Sequence, residues 1–241
     1  MRIDTNTKVG EVVKMNFRTA SFFQSHQIDY CCGGSQILEE ACKKAGISTE
    51  DAVKQLSLLL EQQDSGTIYI SSLQPDELAD YIIKRHHGYV RTNIPVILQN
   101  LEKICNKHGD HHPELHKINE LFNTAAGNLT MHMQKEEMIL FPYIRKLMKV
   151  KRGETDYHSA SFGPVSNPIK MMMSEHSQEG DRFDTISQLS DNYKIPSDAC
   201  MTYEVTMNQL KEFEEDLHQH IHLENNILFP ETEALEIELV G

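Results

Sequence analysis

Residues 132–142 read HMQKEEMILFP and residues 220–230 read HIHLENNILFP. The two strings share H-x-x-x-E-x-x-I-L-F-P at an offset of 88 residues, too long a match to arise by chance. A further histidine precedes each copy at nearly the same distance: His87 lies 45 positions before His132, and His176 lies 44 before His220. Each half therefore supplies one histidine on a first helix and a His/Glu pair on a second. This is the pattern of two tandem αα-hairpins related by an approximate two-fold.

Helical periodicity tells which way these residues point. Steps of three and four give Ile83, His87, Val90, Ile94, Ile97, Leu101 and Ile104 on the first helix, and Leu115, Ile118, Phe122, Ala125, Leu129, His132, Glu136, Ile139 and Tyr143 on the second. The third seam runs Ile169, Met172, His176, Glu179, Phe183, Ile186, and the fourth runs Tyr203, Thr206, Leu210, Phe213, Leu217, His220, Glu224, Ile227. Six polar residues, His87, His132, Glu136, His176, His220 and Glu224, thus interrupt mainly apolar seams and face the bundle interior.

Inward placement of two carboxylates and four imidazoles costs several kcal/mol unless cations compensate it. The spacing suits metal binding, because residues four apart on a helix rise ~6 Å and differ by ~40° in direction, so each His/Glu pair converges on one point. If Glu136 and Glu224 each bridge with both oxygens and each metal takes two histidines, two ions have four protein ligands apiece. A solvent oxo or hydroxo bridge makes five and leaves one position open. Nitrogen and oxygen donors without thiolate in an incompletely filled shell suit iron better than structural zinc, with zinc and manganese still compatible.

The remaining histidines read as exposed or capping: His86 and His222 beside the seams, His218 two before one, and His108, His111, His112 and His116 near a helix start. Glu179, one turn after His176, reads either as a carboxylate orienting that ligand or as a solvated one.

The wider composition narrows the function. In a chain of 241 residues, 36 acidic against 23 basic side chains give a net charge of −13, which repels phosphate backbones and argues against nucleic-acid binding. No apolar run approaches the ~18–20 residues of a membrane span, and the N-terminal residues lack a secretion signal. Five cysteines without secretory context imply reduced thiols and a soluble cytoplasmic protein.

Residues 1–62 read as a small domain of short helices, including one opening near Ser35 and one started by Ser48 with Asp51 three later. Alone it would be marginally stable, so it is expected to dock on the rest of the chain or on a second copy, which makes a homodimer an expectation. Residues 63–74 read as a linker and residues 75–241 as the bundle. Prolines 75, 113, 168 and 196 stand at or near helix starts, and Pro95 is expected to kink the first helix. The connection 149–167 reads as a lid or a mobile linker.

Cys31 and Cys32 stand in YCCGG, just ahead of the helix expected near Ser35. A helix N-terminus would lower a thiol pKa and favour reaction or metal binding. Two small buried residues in a tight turn fit the residues equally well. Cys42, Cys105 and Cys200 read as core thiols.

With both motifs in view, the chain resembles the di-iron proteins of iron-sulfur cluster repair, the Repair of Iron Centers family. DYCCGG at residues 29–34 looks like that family's small Cys-Cys-Gly-Gly domain, and residues from about 76 to 232 look like its hemerythrin-like bundle. The resemblance implies an all-α fold, an up-down four-helix bundle with a small N-terminal helical domain, and a di-iron centre on His87, His132, Glu136, His176, His220 and Glu224. Oxygen-carrying hemerythrins have an additional histidine, so the smaller set here implies a more open iron pair. It further implies repair of clusters damaged by oxidants or nitric oxide, with iron-sulfur proteins as clients and Cys31 and Cys32 guiding iron or contacting them.

Two other functions suit a di-iron centre with an open position. One is an enzyme reducing nitric oxide or peroxide, which would turn over with a chemical electron donor. The other is a sensor or store of oxygen or nitric oxide, which would change its visible spectrum reversibly without transferring iron.

Overall fold

The computed structural model describes residues 3–62 and 64–240. The parts of the expected small domain, linker and bundle that fall on residues 1, 2, 63 and 241 lie outside the described residues. Among the described residues the secondary structure is helical throughout, with an isolated antiparallel bridge between Lys8 and Ile37. No helix there is long and apolar enough to cross a membrane.

The described residues form twelve α-helices: α1 Val9–Met15, α2 Ala20–Ser25, α3 Leu38–Ala45, α4 Thr49–Leu60, α5 Ser65–Ile70, α6 Pro75–Ile82, α7 Gly88–His108, α8 Glu114–Lys135, α9 Phe141–Lys151, α10 Ser166–Leu189, α11 Met201–Leu223 and α12 Phe229–Val240. Three π-helical turns join consecutive helices into longer runs: Ile83–His87 between α6 and α7, Glu136–Leu140 between α8 and α9, and Glu224–Leu228 between α11 and α12. Pro95 lies inside α7 without ending it. The stretch read as a linker contains α5, whose N-cap Asp64 accepts from the Thr67 N–H at 2.9 Å.

The chain forms two compact units. One comprises Asp80–Lys146 and Ser159–His220 and contains α7, α8, α10 and most of α11. Its core is built from the four predicted seams. Phe122 of α8, Phe183 of α10 and Phe213 of α11 pack together with ring centroids 5.3–6.3 Å apart, and Ile97, Leu101 and Ile104 of α7 are buried with them in that unit. Three aromatic rings add edge and stacking contacts to the burial of their area.

The other unit comprises Met1–Ala79, Leu147–His158 and Ile221–Gly241. Here the small N-terminal helices find the partner they lack alone, and it is the end of the same chain. Lys14 of α1 pairs with Glu231 of α12 at 3.0 Å, and the Asn16 amide donates to the carbonyls of Leu59 and Gln62 at 3.1 and 2.7 Å. Ser48 caps α4 as expected, its hydroxyl accepting from the Asp51 N–H at 3.3 Å.

Candidate metal centre

The repeated string shapes its own backbone. The Phe141 N–H donates to the Glu136 carbonyl, and the Phe229 N–H to the Glu224 carbonyl, each reaching five residues back rather than four. Proline follows in both copies. Pro142 and Pro230 have no N–H to give, and in a regular α-helix their rings would press on the carbonyl four residues earlier; the wider turn relieves that crowding. Both glutamates thus open a π turn, and His87 closes the third. Such turns recur at functional sites because they re-aim a side chain within an otherwise regular helix.

The extra residue moves the seam. Ile139, expected inside, is 47% exposed, while Leu140, Phe141 and Ile144 are buried in its place. The other predicted seam residues of α8, α10 and α11 are buried, whereas Ile83 and Ile94 on the first run are only half-buried.

Five of the six inward polar residues lie in the bundle unit, all buried, and their donor atoms form two groups. His87, Glu136 and His220 make one, and His132, Glu136 and His176 the other, with ligand atoms in each group within 4.8 Å of one another. Glu136 belongs to both. Its Oε2 is 3.3 Å from His87 Nε2, and its Oε1 is 3.2 Å from His132 Nε2. His176 Nε2 approaches His132 Nε2 at 3.0 Å. Glu224 stands one turn beyond His220 on the same continuous helical run, fully buried.

The outward nitrogens are held by carboxylates. His87 Nδ1 donates to Glu137 at 2.6 Å, and His132 Nδ1 donates to Glu175 at 2.8 Å. Partial burial works to raise the Glu137 pKa, but the hydrogen bonds from His87 and Arg91 win and hold it below the usual carboxylate range. The His132 hydrogen bond, helped by Lys135, lowers Glu175 to about 2. Both carboxylates are therefore ionised acceptors, so each Nδ1 carries a proton and each Nε2 is the nitrogen left to ligate on the inward side. His87 Nε2 is buried without a hydrogen-bond partner, beside the fully buried Glu136 carboxylate. Buried polar atoms of this kind are satisfied by cations, and the nitrogen and oxygen donor set fits a hard to borderline ion such as iron.

The cysteine loop has a different chemistry. The Asp29 carboxylate accepts the N–H groups of Cys31, Cys32 and Gly33 at 2.7–2.9 Å, and the Cys31 thiol also donates to it at 3.2 Å. The Cys32 thiol, burial and the Asp29 charge together raise the Cys31 pKa well above the ordinary thiol value. The expected lowering at a helix N-terminus does not hold for Cys31, for two reasons. The following helix α3 begins only at Leu38, and the loop's anion site is filled by Asp29. Asp29, Cys31 and Cys32 nonetheless bring their ligand atoms within 4.8 Å of one another.

This loop rests on the second copy of the repeat. Asn225 and Asn226 donate to the Cys31 carbonyl at 3.4 and 3.1 Å, and Asn226 also reaches the Tyr30 carbonyl at 3.3 Å. The fit is close: a Cβ on Gly34 would come within 2.5 Å of Asn226 Oδ1 and 2.7 Å of the Tyr30 carbonyl. His222 lies buried between the rings of Phe17 and Tyr30, and burial lowers its pKa to about 4.

Comparison with known proteins agrees with both halves of this description. Residues 78–232 match the hemerythrin HHE cation-binding domain, and residues 5–60 match the ScdA_N domain, described as of unknown function. The iron-sulfur cluster repair protein ScdA of Staphylococcus haemolyticus (strain JCSC1435) is 30% identical over 94% of this chain and 98% of its own length. The iron-sulfur cluster repair proteins YtfE of Yersinia pseudotuberculosis serotype O:1b (strain IP 31758) and Enterobacter sp. (strain 638) are 34% and 33% identical over 93% and 95% of this chain, and 96% and 97% of their own lengths. The chain belongs to the ScdA/YtfE family.

In this ScdA/YtfE family member several side chains play parts that periodicity did not reveal. The carboxylates that orient histidines are Glu137 and Glu175, each adjacent in sequence to a seam residue, rather than Glu179. Glu179 is buried and engaged by Asn128 at 2.8 Å and Arg182 at 3.0 Å. His86, expected outside, is buried, stacked on His220 at 5.5 Å, with its Nδ1 3.1 Å from the Asp216 carboxylate. His222 and His108 are likewise buried, whereas His111 and His116 are exposed. Cys42 and Cys105 are core thiols as expected; Cys200 is half-buried and is not one. A charged residue directly beside each ligand position was the available signal for Glu137 and Glu175, and nothing in the helical period marks it.

Proposed function

We propose that this chain repairs damaged iron-sulfur clusters in client proteins, as its relatives' names describe for them, by holding two iron ions in the bundle and giving iron to the client. The residues that would hold the ions are His87, His132, Glu136, His176, His220 and Glu224, the six inward donors of the repeated sequence, and the two glutamates would supply the carboxylates shared between ions. The observation that carries this reading is Glu136, whose two oxygens each lie within 3.3 Å of the inward Nε2 of a different histidine. When bound, the ions supply Lewis acidity and an exchangeable pool of iron. Glu137 and Glu175 keep His87 and His132 in the tautomer that ligates, and the buried setting holds Glu136 in place for both ions.

Four protein ligands per ion fill a six-coordinate shell incompletely, which favours release over permanent retention. Cys32, half-buried beside the buried Cys31, is the thiol of the loop placed to meet a client or a departing ion, with Asp29 as a neighbouring oxygen donor. Free cysteines support a reducing, cytoplasmic setting.

Iron-loaded protein mixed with an apo iron-sulfur protein and sulfide tests the reading. Client activity should return in step with iron leaving the chain; a client that stays inactive while the chain keeps its iron overturns it. A C31S/C32S variant that restores the client equally well removes the thiols from the mechanism and leaves the iron centre standing.

A further inference from the structure

A second nucleophilic group lies in the bundle unit, where α7 ends and α11 begins. Cys200 immediately precedes α11 and caps it, its carbonyl accepting from the Glu204 N–H at 3.1 Å. Its Sγ is 3.2 Å from Nε2 of His108, which is only 9% exposed. Tyr203 packs its ring edge against both His108 and His112 at 5.5 Å.

The neighbouring acids are occupied elsewhere. His112 holds Asp198 at 3.1 Å and Glu114 at 3.0 Å, one on each ring nitrogen, so neither ring nitrogen is turned to the sulfur. The cluster is therefore not a metal cage. It is a thiol paired with one imidazole, the arrangement of a nucleophile and its proton carrier.

The electrostatics agree with the geometry. The His108 hydrogen bond, the N–H groups of Tyr203 and Thr202 at the start of α11, and Lys107 together lower the Cys200 pKa to about 7. Cys31, Cys42 and Cys105 are all shifted the other way.

We propose that Cys200 is a modification site that exchanges with small-molecule disulfides to form a mixed disulfide, with His108 as the proton carrier. In the exchange the Cys200 thiolate attacks one sulfur of the small disulfide. A new S–S bond forms on Cys200 as the old one breaks, so Cys200 is oxidised and the departing half is reduced. The departing thiolate takes the proton of the His108 imidazolium and leaves as a thiol, and His108 is left neutral.

Iron-loaded full-length protein is incubated with oxidised glutathione, and adducts are mapped by peptide mass spectrometry; in parallel, iodoacetamide rates are measured at each cysteine from pH 5 to 9. The proposal expects the adduct on Cys200, its loss in C200S, and a Cys200 alkylation midpoint near pH 7. In H108Q that midpoint should rise toward the ordinary thiol value of about 8.5, with exchange at pH 7 slowed about tenfold. A wild-type midpoint above 8, adducts only on other cysteines, or a midpoint unmoved in a folded H108Q overturns it. Should H108Q fail to fold, the wild-type midpoint and adduct map decide alone.

Discussion

The two copies of the repeat agree where the backbone and the donors are at stake and part company one residue later. After Glu136 comes Glu137, which turns back to hold His87 Nδ1 at 2.6 Å. After Glu224 come Asn225 and Asn226, which hold the carbonyl of Cys31 at 3.4 and 3.1 Å. A similar divergence precedes the first-helix histidines: Glu175, just before His176, orients His132, whereas His86, just before His87, stacks on His220 and pairs with Asp216. A duplicated hairpin has kept the His/Glu pair and the proline that widens the turn. The positions that follow the glutamate serve separate tasks, with an ionised carboxylate that holds an imidazole in one copy and neutral amides that seat a cysteine loop in the other.

The largest effect should come from striking what the copies share. Chelating the metal should cost about 4 kcal/mol, as for any ligand present at a thousand times its dissociation constant, and lower Tm by roughly 10 °C. E136Q, which keeps the shape and removes the bridging charge, should show little of that metal-dependent gain by calorimetry. Equal thermal stability with and without chelator would break the comparison at its root.

Next, the divergent positions should separate cleanly. In iron competition titrations E137Q and E175Q should weaken binding roughly 10- to 100-fold, the range for losing a carboxylate behind a ligating histidine. N225A should leave affinity within about threefold, since a neutral amide facing a carbonyl does not set a ligand's tautomer. A comparable loss in N225A would mean the two copies do the same work.

A smaller effect is expected at the loop. N226A removes hydrogen bonds to the Tyr30 and Cys31 carbonyls, worth about 1–2 kcal/mol where the acceptors are left buried, and amide exchange over residues 29–34 should quicken roughly 5- to 30-fold with iron content unchanged. The smallest effect tests the bundle's slack away from either motif. A Cβ on Gly127 in α8 meets nothing within 4 Å, so G127A should stabilise by about 0.5–1 kcal/mol in urea unfolding.

Much of this molecule could be read from residue order. Periods of three and four put Phe122, Phe183 and Phe213 in the core with the inward histidines, because burial in a helical bundle is governed by the 3.6-residue turn. That same rule failed at Ile139, where a proline six residues after Glu136 widens the helix and advances the buried face by about one position. It was also silent on Glu137 and Glu175, which lie beside the seam and reach across to another helix. The loop chemistry was hidden for another reason. Whether a cysteine near a turn is acidic depends on which group already occupies the nearby N–H donors, and Asp29 takes them at Cys31 whereas the Cys200 sulfur receives them itself.

Anomalous diffraction at the iron edge, on crystals of iron-loaded protein, tests the central claim most directly. Two peaks are expected, one on each side of the Glu136 carboxylate, the first against His87 and the second against His132 and His176. One peak alone, or density confined to Asp29, Cys31 and Cys32, would contradict the account.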